Sequence, residues 1–141
     1  MPTRQTIVIT LIIYVLLMTF SGFCWGQSKE EVFRAMQATA SEMNRSLPMM
    51  VGSGLKLTTI IATNYDGLNL TYVVKSTAFS IEQLDPRLIQ TKIKPVTVNG
   101  LCSNPGALAI MRRGIKYTYL LYDKDNRYVT EYSITAKDCG F

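Results

Sequence analysis

Two cysteines near the C-terminus constrain the fold of this chain more than any other feature of its sequence. Cys102 and Cys139 bracket a helical pattern and a tyrosine-rich hairpin pattern. If the third cysteine, Cys24, is removed with an N-terminal signal segment, Cys102 and Cys139 allow a single pairing, and we expect one disulfide in an oxidising compartment. A disulfide that closes the loop between Cys102 and Cys139 stabilises a fold by about 3 to 4 kcal/mol on the chain-entropy model. A reactive thiol with a resolving partner is the alternative, but the pair lacks the Cys-x-x-Cys spacing.

The first 26 residues have the features of a secretory signal peptide. Arg4 precedes an uncharged apolar run from Ile7 to Phe20, and small or polar residues are frequent from there to Gly26. A membrane-spanning helix usually needs about twenty apolar residues, which is longer than this run. We therefore predict cleavage after Gly26 and a single mature domain over residues 27–141, starting at Gln27 and either periplasmic or secreted.

Two other interpretations of the N-terminus stay open. The apolar run could be retained as an uncleaved anchor. Cys24 could instead be acylated as in a bacterial lipoprotein, although Phe23 stands where the lipobox has Gly or Ala. Under our preferred interpretation the protein has no stable membrane insertion after cleavage.

The composition narrows the chemistry that the chain can perform. It contains no histidine, the commonest general base and the commonest metal ligand. After residue 26 the formal charge is +4, and the basic residues are scattered from Lys29 to Lys137. Proteins that bind nucleic acid usually carry a denser basic stripe. We predict no nucleic-acid partner, no cofactor and no metal site.

Three segments after residue 26 have helical patterns. Ser28 and Glu31 form a capping box, and the helix that follows should end before Pro48. An Asp-Pro pair at residues 85–86 starts a second helix, which Pro95 either ends or kinks. An Asn-Pro pair at residues 104–105 starts the third, which ends at Gly114.

Two pairs of segments have the pattern of β-hairpins. Leu55 to Thr63 and Leu68 to Lys75 flank an Asp-Gly turn, and Lys116 to Tyr122 and Tyr128 to Thr135 flank a polar one. Residues 49–54 are interpreted as a lead into a flexible Gly-Ser-Gly joint. The order of these elements predicts an α+β fold with a four-stranded antiparallel sheet covered on one face by helices. We expect a cystatin-like or similar arrangement with one disulfide.

Four short segments stand out within this pattern: Asn44 to Met50, Gly114 to Tyr119, Tyr122 to Asn126 and Asp138 to Gly140. Through them most of the chain after residue 26 resembles a group of small exported bacterial proteins of unassigned function. The resemblance implies export and the disulfide, and it transfers no catalytic residue.

Acidic residues offer the main candidates for chemistry. The segment from Asp123 to Arg127 begins like a calcium loop, but Arg127 stands at the fifth position and Tyr128 replaces the glycine. A polar hairpin turn is the simpler interpretation. Paired carboxylates occur only as Glu30-Glu31 at a helix start and as Asp123 with Asp125 in this turn. We predict no catalytic residue.

Basic, aromatic and methionine side chains are the candidates for binding a partner. Basic residues flank the end of the third helix beside the tyrosine-rich strands, and arginine and tyrosine are enriched in interface hot spots. Methionines follow Pro48, which keeps them out of the first helix. The candidates are Arg112, Arg113, Lys116, Tyr117, Tyr119, Tyr122, Met49 and Met50.

These observations favour a small exported binding or accessory module without enzymatic activity, of the inhibitor or immunity type. Its partner would be a protein or a glycan of the cell envelope. Two alternatives remain: a small periplasmic hydrolase that uses carboxylates, and a membrane-anchored accessory protein of an envelope complex.

Overall fold

A computed structural model describes residues 26–141. Residues 31–141 form one compact unit. The apolar run at residues 7–20 and Cys24, on which the signal-peptide and lipoprotein interpretations depend, lie outside the described residues. None of the helices described in residues 26–141 is long and apolar enough to cross a membrane.

The first helix, α1, extends over Lys29–Asn44 and ends where the sequence predicts. Met36 and Ala40 lie one turn apart on its buried face and pack into the core. Its last side chain makes two hydrogen bonds to one residue of the sheet: Asn44 Nδ2 donates to the carbonyl of Ile60, and Asn44 Oδ1 accepts from the Ile60 N–H, both at 2.8 Å. The helix is therefore attached to the sheet at its end.

Five strands form one sheet, in which they are neighbours in chain order. They are β1 (Met49–Gly52), β2 (Leu55–Thr63), β3 (Asn69–Ser76), β4 (Lys116–Tyr122) and β5 (Tyr128–Ile134). All neighbouring strands are antiparallel except β3 and β4, which are parallel. The α+β class and the two hairpins are confirmed. The four-stranded, wholly antiparallel sheet is wrong, and the cystatin-like arrangement stays a prediction.

Each error in the predicted sheet has a physical reason. The segment interpreted as a lead into a joint is the edge strand β1, which pairs only with Leu55–Leu57 and turns through Gly54 at a φ of 72°. Such a short strand has too few residues to show alternation. The parallel pair arises because residues 77–115 connect β3 to β4 by a helical crossover, which brings β4 back in the same direction.

The crossover contains two helices. One α-helical turn (Pro86–Leu88) runs through a π-helical turn (Ile89–Ile93) into α2 (Lys94–Cys102), and α3 (Pro105–Arg112) follows. Pro95 therefore does not end the helix. Because proline lacks an N–H and its ring crowds the carbonyl four residues earlier, the helix widens into the π turn just before it. Gly114 follows α3 at a φ of 85°, as expected for a helix end.

The helices pack on one face of the sheet and enclose the core. Ile134 and Met111 are its most deeply buried large apolar side chains. A short 3-10 helix, Ala136–Cys139, ends the chain, and Cys139 forms a disulfide with Cys102 at the end of α2, with a Cα–Cα distance of 5.5 Å. The predicted disulfide is confirmed.

Candidate functional site

Tyrosines on three neighbouring strands form a stack on the helix-covered face. Tyr72, Tyr119 and Tyr132 are directly opposite one another in the register, and successive ring centroids are 5.3 and 5.2 Å apart. The Tyr132 hydroxyl shares a hydrogen bond with that of Thr97 in α2, at 3.2 Å. Tyr117 is buried, 5.8 Å from Tyr72. Two of the predicted partner-binding residues, Tyr117 and Tyr119, therefore pack in or against the core.

Burial also determines the ionisation of this stack. Desolvation raises the pKa of Tyr72 to about 12, with a smaller contribution from the nearby Tyr117. It also raises the pKa of Tyr119 above its ordinary value, with smaller contributions from the neighbouring tyrosines. These phenols stay protonated at neutral pH, and their rings pack against one another and against the core.

The third candidate tyrosine of β4 lies on the opposite face of the sheet. Tyr122 makes an edge-to-face contact with Tyr128 of β5, with ring centroids 6.2 Å apart and an interplanar angle of 79°. Tyr128 is half exposed. Tyr122 is therefore the predicted tyrosine that the fold presents away from the helices.

The basic candidates lie near the start of β4, at the end remote from that tyrosine. The Arg112 guanidinium stacks 4.0 Å above the Phe141 ring. Arg113 is exposed beyond the end of α3, and Lys116 Nζ lies 3.2 Å from Asp66 Oδ2. The three basic candidates therefore lie near the opposite end of β4 from Tyr122, the candidate tyrosine on the face away from the helices.

The two methionine candidates lie on the edge strand β1 and belong to different faces. Met49 is opposite Leu57, a core residue, whereas Met50 is opposite Lys56. Both methionines are about half exposed, at 49% and 54%. They therefore do not form one continuous methionine surface.

A fully buried carboxylate organises the turn between β4 and β5. Asp123 accepts hydrogen bonds from the backbone N–H groups of Ile81, Asp125 and Arg127 and from the Arg127 side chain, at 2.8 to 2.9 Å. Burial alone raises the pKa of Asp123, but these hydrogen bonds outweigh it and hold that pKa below its usual range. Arg127 also forms a bidentate ion pair with Glu82, and the pKa of Glu82 falls to about 2.

This bonding explains why the segment begins like a calcium loop. Both oxygens of Asp123 bind N–H groups of the turn and of the loop after β3, so they are occupied by the protein itself. In the part of the chain that the structure describes, no group of three or more acidic, cysteine or histidine residues is placed to hold a metal ion. The carboxylate has a structural role that the sequence alone did not reveal.

A cavity of about 420 Å³ lies beside the disulfide, between α2 and the final 3-10 helix. Asp138 at its wall accepts hydrogen bonds from the Thr135 N–H at 2.8 Å and the Thr135 hydroxyl at 3.0 Å. The Thr135 bonds also lower the pKa of Asp138. This carboxylate caps the last helical turn.

A larger cavity, of about 540 Å³, opens on the face of the sheet away from the helices. Lys56 and Lys75 line it together with Tyr122. Its other lining residues are Pro48, Thr58, Val73 and Asn126. Sequence reasoning missed the two lysines as a pair. Lys75 shows as a polar position of an alternating strand, but only the strand register brings Lys56 opposite it.

Comparison with known proteins rests on solved structures, since no family model and no curated protein matches the chain. A Pseudomonas aeruginosa protein provisionally described as secreted has a TM-score of 0.65 at 20% identity, over 81% of this chain and 99% of its own. The pilotin EpsS of the Vibrio vulnificus type 2 secretion system has a TM-score of 0.63 at 13% identity, over 79% of this chain and 94% of its own. The type II secretion pilotin AspS of Vibrio cholerae has a TM-score of 0.60 at 14% identity, over 79% of this chain and 94% of its own.

The chain shares the fold of these proteins. Since all three identities are below 25%, the similarity concerns the fold alone. It extends over nearly the full length of each of the three chains.

Proposed function

We propose that this protein is a non-enzymatic accessory module of the bacterial envelope that binds a protein partner within a secretion complex. The observation that carries the proposal is the fold similarity to two type II secretion pilotins, which spans 94% of each of those chains. A periplasmic or secreted location belongs to the same proposal. The finer inhibitor or immunity type and a glycan partner stay predictions.

The contacts of Asp123 and Asp125 favour a structural role over hydrolysis for the acidic residues of the β4–β5 turn. Asp123 is fully buried and hydrogen bonded on both oxygens, and its lowered pKa keeps it ionised. A general acid needs a raised pKa and a position in reach of substrate. Asp125 forms ion pairs with Lys124 and Arg127. These contacts support a structural use of Asp123 and Asp125, one of the two acidic pairs that the hydrolase alternative could use.

An anchored form is compatible with the same function. The alternatives that attach the chain to a membrane depend on the apolar run at residues 7–20 or on acylation of Cys24. Attachment would limit the partners within reach to those at the same membrane.

Affinity purification of the tagged full-length protein tests this proposal. Envelopes of the host would be crosslinked and solubilised, and the proteins captured with the tag identified by mass spectrometry. We expect components of a type II secretion apparatus, and we expect a strain that lacks the gene to secrete less of a type II substrate. Another exported protein of similar size and charge, carrying the same tag, is the control.

Charge reversal at Arg113, which is exposed beyond the end of α3, then locates the contact. Arg113→Glu should reduce capture without lowering the melting temperature if the partner binds near the start of β4. Arg112 is left unaltered, because its guanidinium stacks on the Phe141 ring. Undiminished capture would indicate that the partner binds another surface of the protein, and it would not contradict the proposed function. Capture of no secretion component, combined with normal secretion in the deletion strain, would contradict it.

A further inference from the structure

One line of side chains crosses all five strands on the face away from the helices. Met50 is opposite Lys56, Lys56 is opposite Lys75, Lys75 is opposite Tyr122, and Tyr122 is opposite Tyr128. Residues directly opposite in a sheet project from the same face. We call these five residues the cross-sheet row.

The two lysines of the row carry charge that the chain does not compensate. Directly opposite residues of an antiparallel pair have Cβ atoms about 5 Å apart, and like-charged side chains placed directly opposite each other are destabilising. Within residues 26–141 neither Lys56 nor Lys75 takes part in an ion pair, and both are half-buried. A pair of lysines that lowers the stability of the fold and has no ion-pair partner within residues 26–141 is suited to bind an anionic group of another molecule.

The cavity around the lysines offers hydrogen-bond donors. None of its lining residues is acidic. The Thr58 hydroxyl is occupied, because it donates to the carbonyl of Val73 at 3.0 Å. In the described chain the Tyr122 hydroxyl and the Asn126 side-chain amide have no hydrogen-bond partner, so both can donate into the cavity.

The ends of the row are apolar or aromatic, and the row has the length of a short peptide. Met50 and Tyr128 are 54% and 51% exposed. Neighbouring strands are about 4.8 Å apart, so the row is about 19 Å long, and an extended chain covers it in about six residue steps of 3.3 Å. Side chains at alternate positions of such a peptide are about 6.6 Å apart and point to the same side. The side chain of peptide residue 1 would therefore lie beside Met50, that of residue 3 between the two lysines and that of residue 7 beside Tyr128.

We propose that the cross-sheet row binds an acidic, extended segment of a partner protein, with a carboxylate between Lys56 and Lys75 and apolar side chains at the two ends. An anionic membrane surface is less suited, because lipid recognition by charge takes clusters of about four to eight basic residues and the cavity supplies two. This inference deepens the proposed function by naming the chemistry of the partner.

Binding of a defined peptide to the exported protein tests the inference directly. The probe is a fluorescein-labelled heptapeptide with Leu at position 1, Glu at position 3, Phe at position 7 and Ser elsewhere. The control peptide has Gln at position 3. Fluorescence anisotropy should show the Glu peptide binding roughly tenfold more tightly at low salt, since one carboxylate would contact two partly exposed ammonium groups.

A matched pair of charge variants assigns this preference to the row. Lys56→Gln/Lys75→Gln should abolish the preference for Glu and leave the melting temperature equal to or above that of the unaltered protein, because it removes a like-charge pair. Lys92→Gln/Lys137→Gln makes the same change in net charge elsewhere and should preserve the preference.

Equal affinity for the Glu and Gln peptides would overturn the inference, and that comparison needs no variant to fold. Unchanged discrimination in Lys56→Gln/Lys75→Gln would also overturn it. So would binding to phosphatidylglycerol vesicles that depends on the two lysines while the peptides are not distinguished, which would indicate a membrane ligand. Since envelope capture does not use these peptides, either proposal can fail while the other stands.

Discussion

Removal of the central ring of the tyrosine stack should destabilise this protein strongly. Tyr119 lies between Tyr72 and Tyr132, with ring centroids 5.3 and 5.2 Å away, and it packs against the core. Tyr119→Ala deletes the ring and both stacked contacts. Tyr119→Phe keeps both contacts and removes only the hydroxyl, so it is the matched control.

The size of the effect follows from the packing. Truncation of a buried aromatic side chain to Ala costs about 3 to 5 kcal/mol, and Tyr119 is only partly buried, which favours the lower end. Each stacked pair adds about 0.5 to 1.5 kcal/mol. We therefore expect Tyr119→Ala to lower the free energy of unfolding by about 4 kcal/mol and Tyr119→Phe by less than about 1 kcal/mol.

Urea unfolding followed by far-UV circular dichroism measures both values, and an unchanged m-value would show that the same transition is being compared. A loss below about 1 kcal/mol in Tyr119→Ala would refute the assigned packing role, because a ring stacked on two neighbours cannot be removed at so little cost. Equal losses in the Ala and Phe variants would refute it too, since they would assign the stability to the hydroxyl.

The same stack should make the fold sensitive to alkaline pH. Burial raises the pKa of Tyr72 to about 12 and raises that of Tyr119, whereas tyrosines of an unfolded chain titrate near 10. Above pH of about 10 the unfolded chain therefore loses these protons before the folded one does, and stability falls as pH rises. The unfolding midpoint in urea should decrease from pH 9 to pH 11, and less so in Tyr119→Phe. A midpoint that does not change would contradict the burial of these phenols.

Three further predictions concern the ties that hold the domain together and its N-terminus. Cys102→Ser/Cys139→Ser should lower the free energy of unfolding by about 4 kcal/mol, because the disulfide closes a loop with a sequence separation of 37; equal urea midpoints for the variant and the oxidised protein would contradict this. Asn44→Ala should cost about 1 to 3 kcal/mol, since it leaves the N–H and carbonyl of Ile60 unpaired, and unchanged stability would exclude that role. Intact mass of the exported protein should correspond to a chain that starts at Gln27; a retained N-terminus or an added acyl group would show attachment to a membrane.

The sequence by itself determined most of the local structure. The N-cap side chains at residues 85 and 104 accept hydrogen bonds from backbone N–H groups of the helices that follow them, and Gly114 adopts the positive φ of a helix end. The strand bounds of both hairpins agree with the alternation within about a residue. These features depend on neighbours a few residues away, so a single segment contains the information.

The pairing of the cysteines was also predictable, for a different reason. The two described cysteines have only one possible connection, and the predicted export would supply the oxidising compartment that the pairing needs. No knowledge of the intervening path was required.

The tertiary structure decided what lies on each face of the sheet. The helical crossover makes β3 and β4 parallel, and their register places Tyr119 in a stack with Tyr72 on the helix-covered face. Lys56 meets Lys75 through the pairing of β2 with β3, and Tyr122 joins them from β4. A shift of one residue in any pairing would move these side chains to the other face. Register depends on contacts between distant segments, which no local pattern contains, and therefore the candidate binding row could be found only in the folded chain.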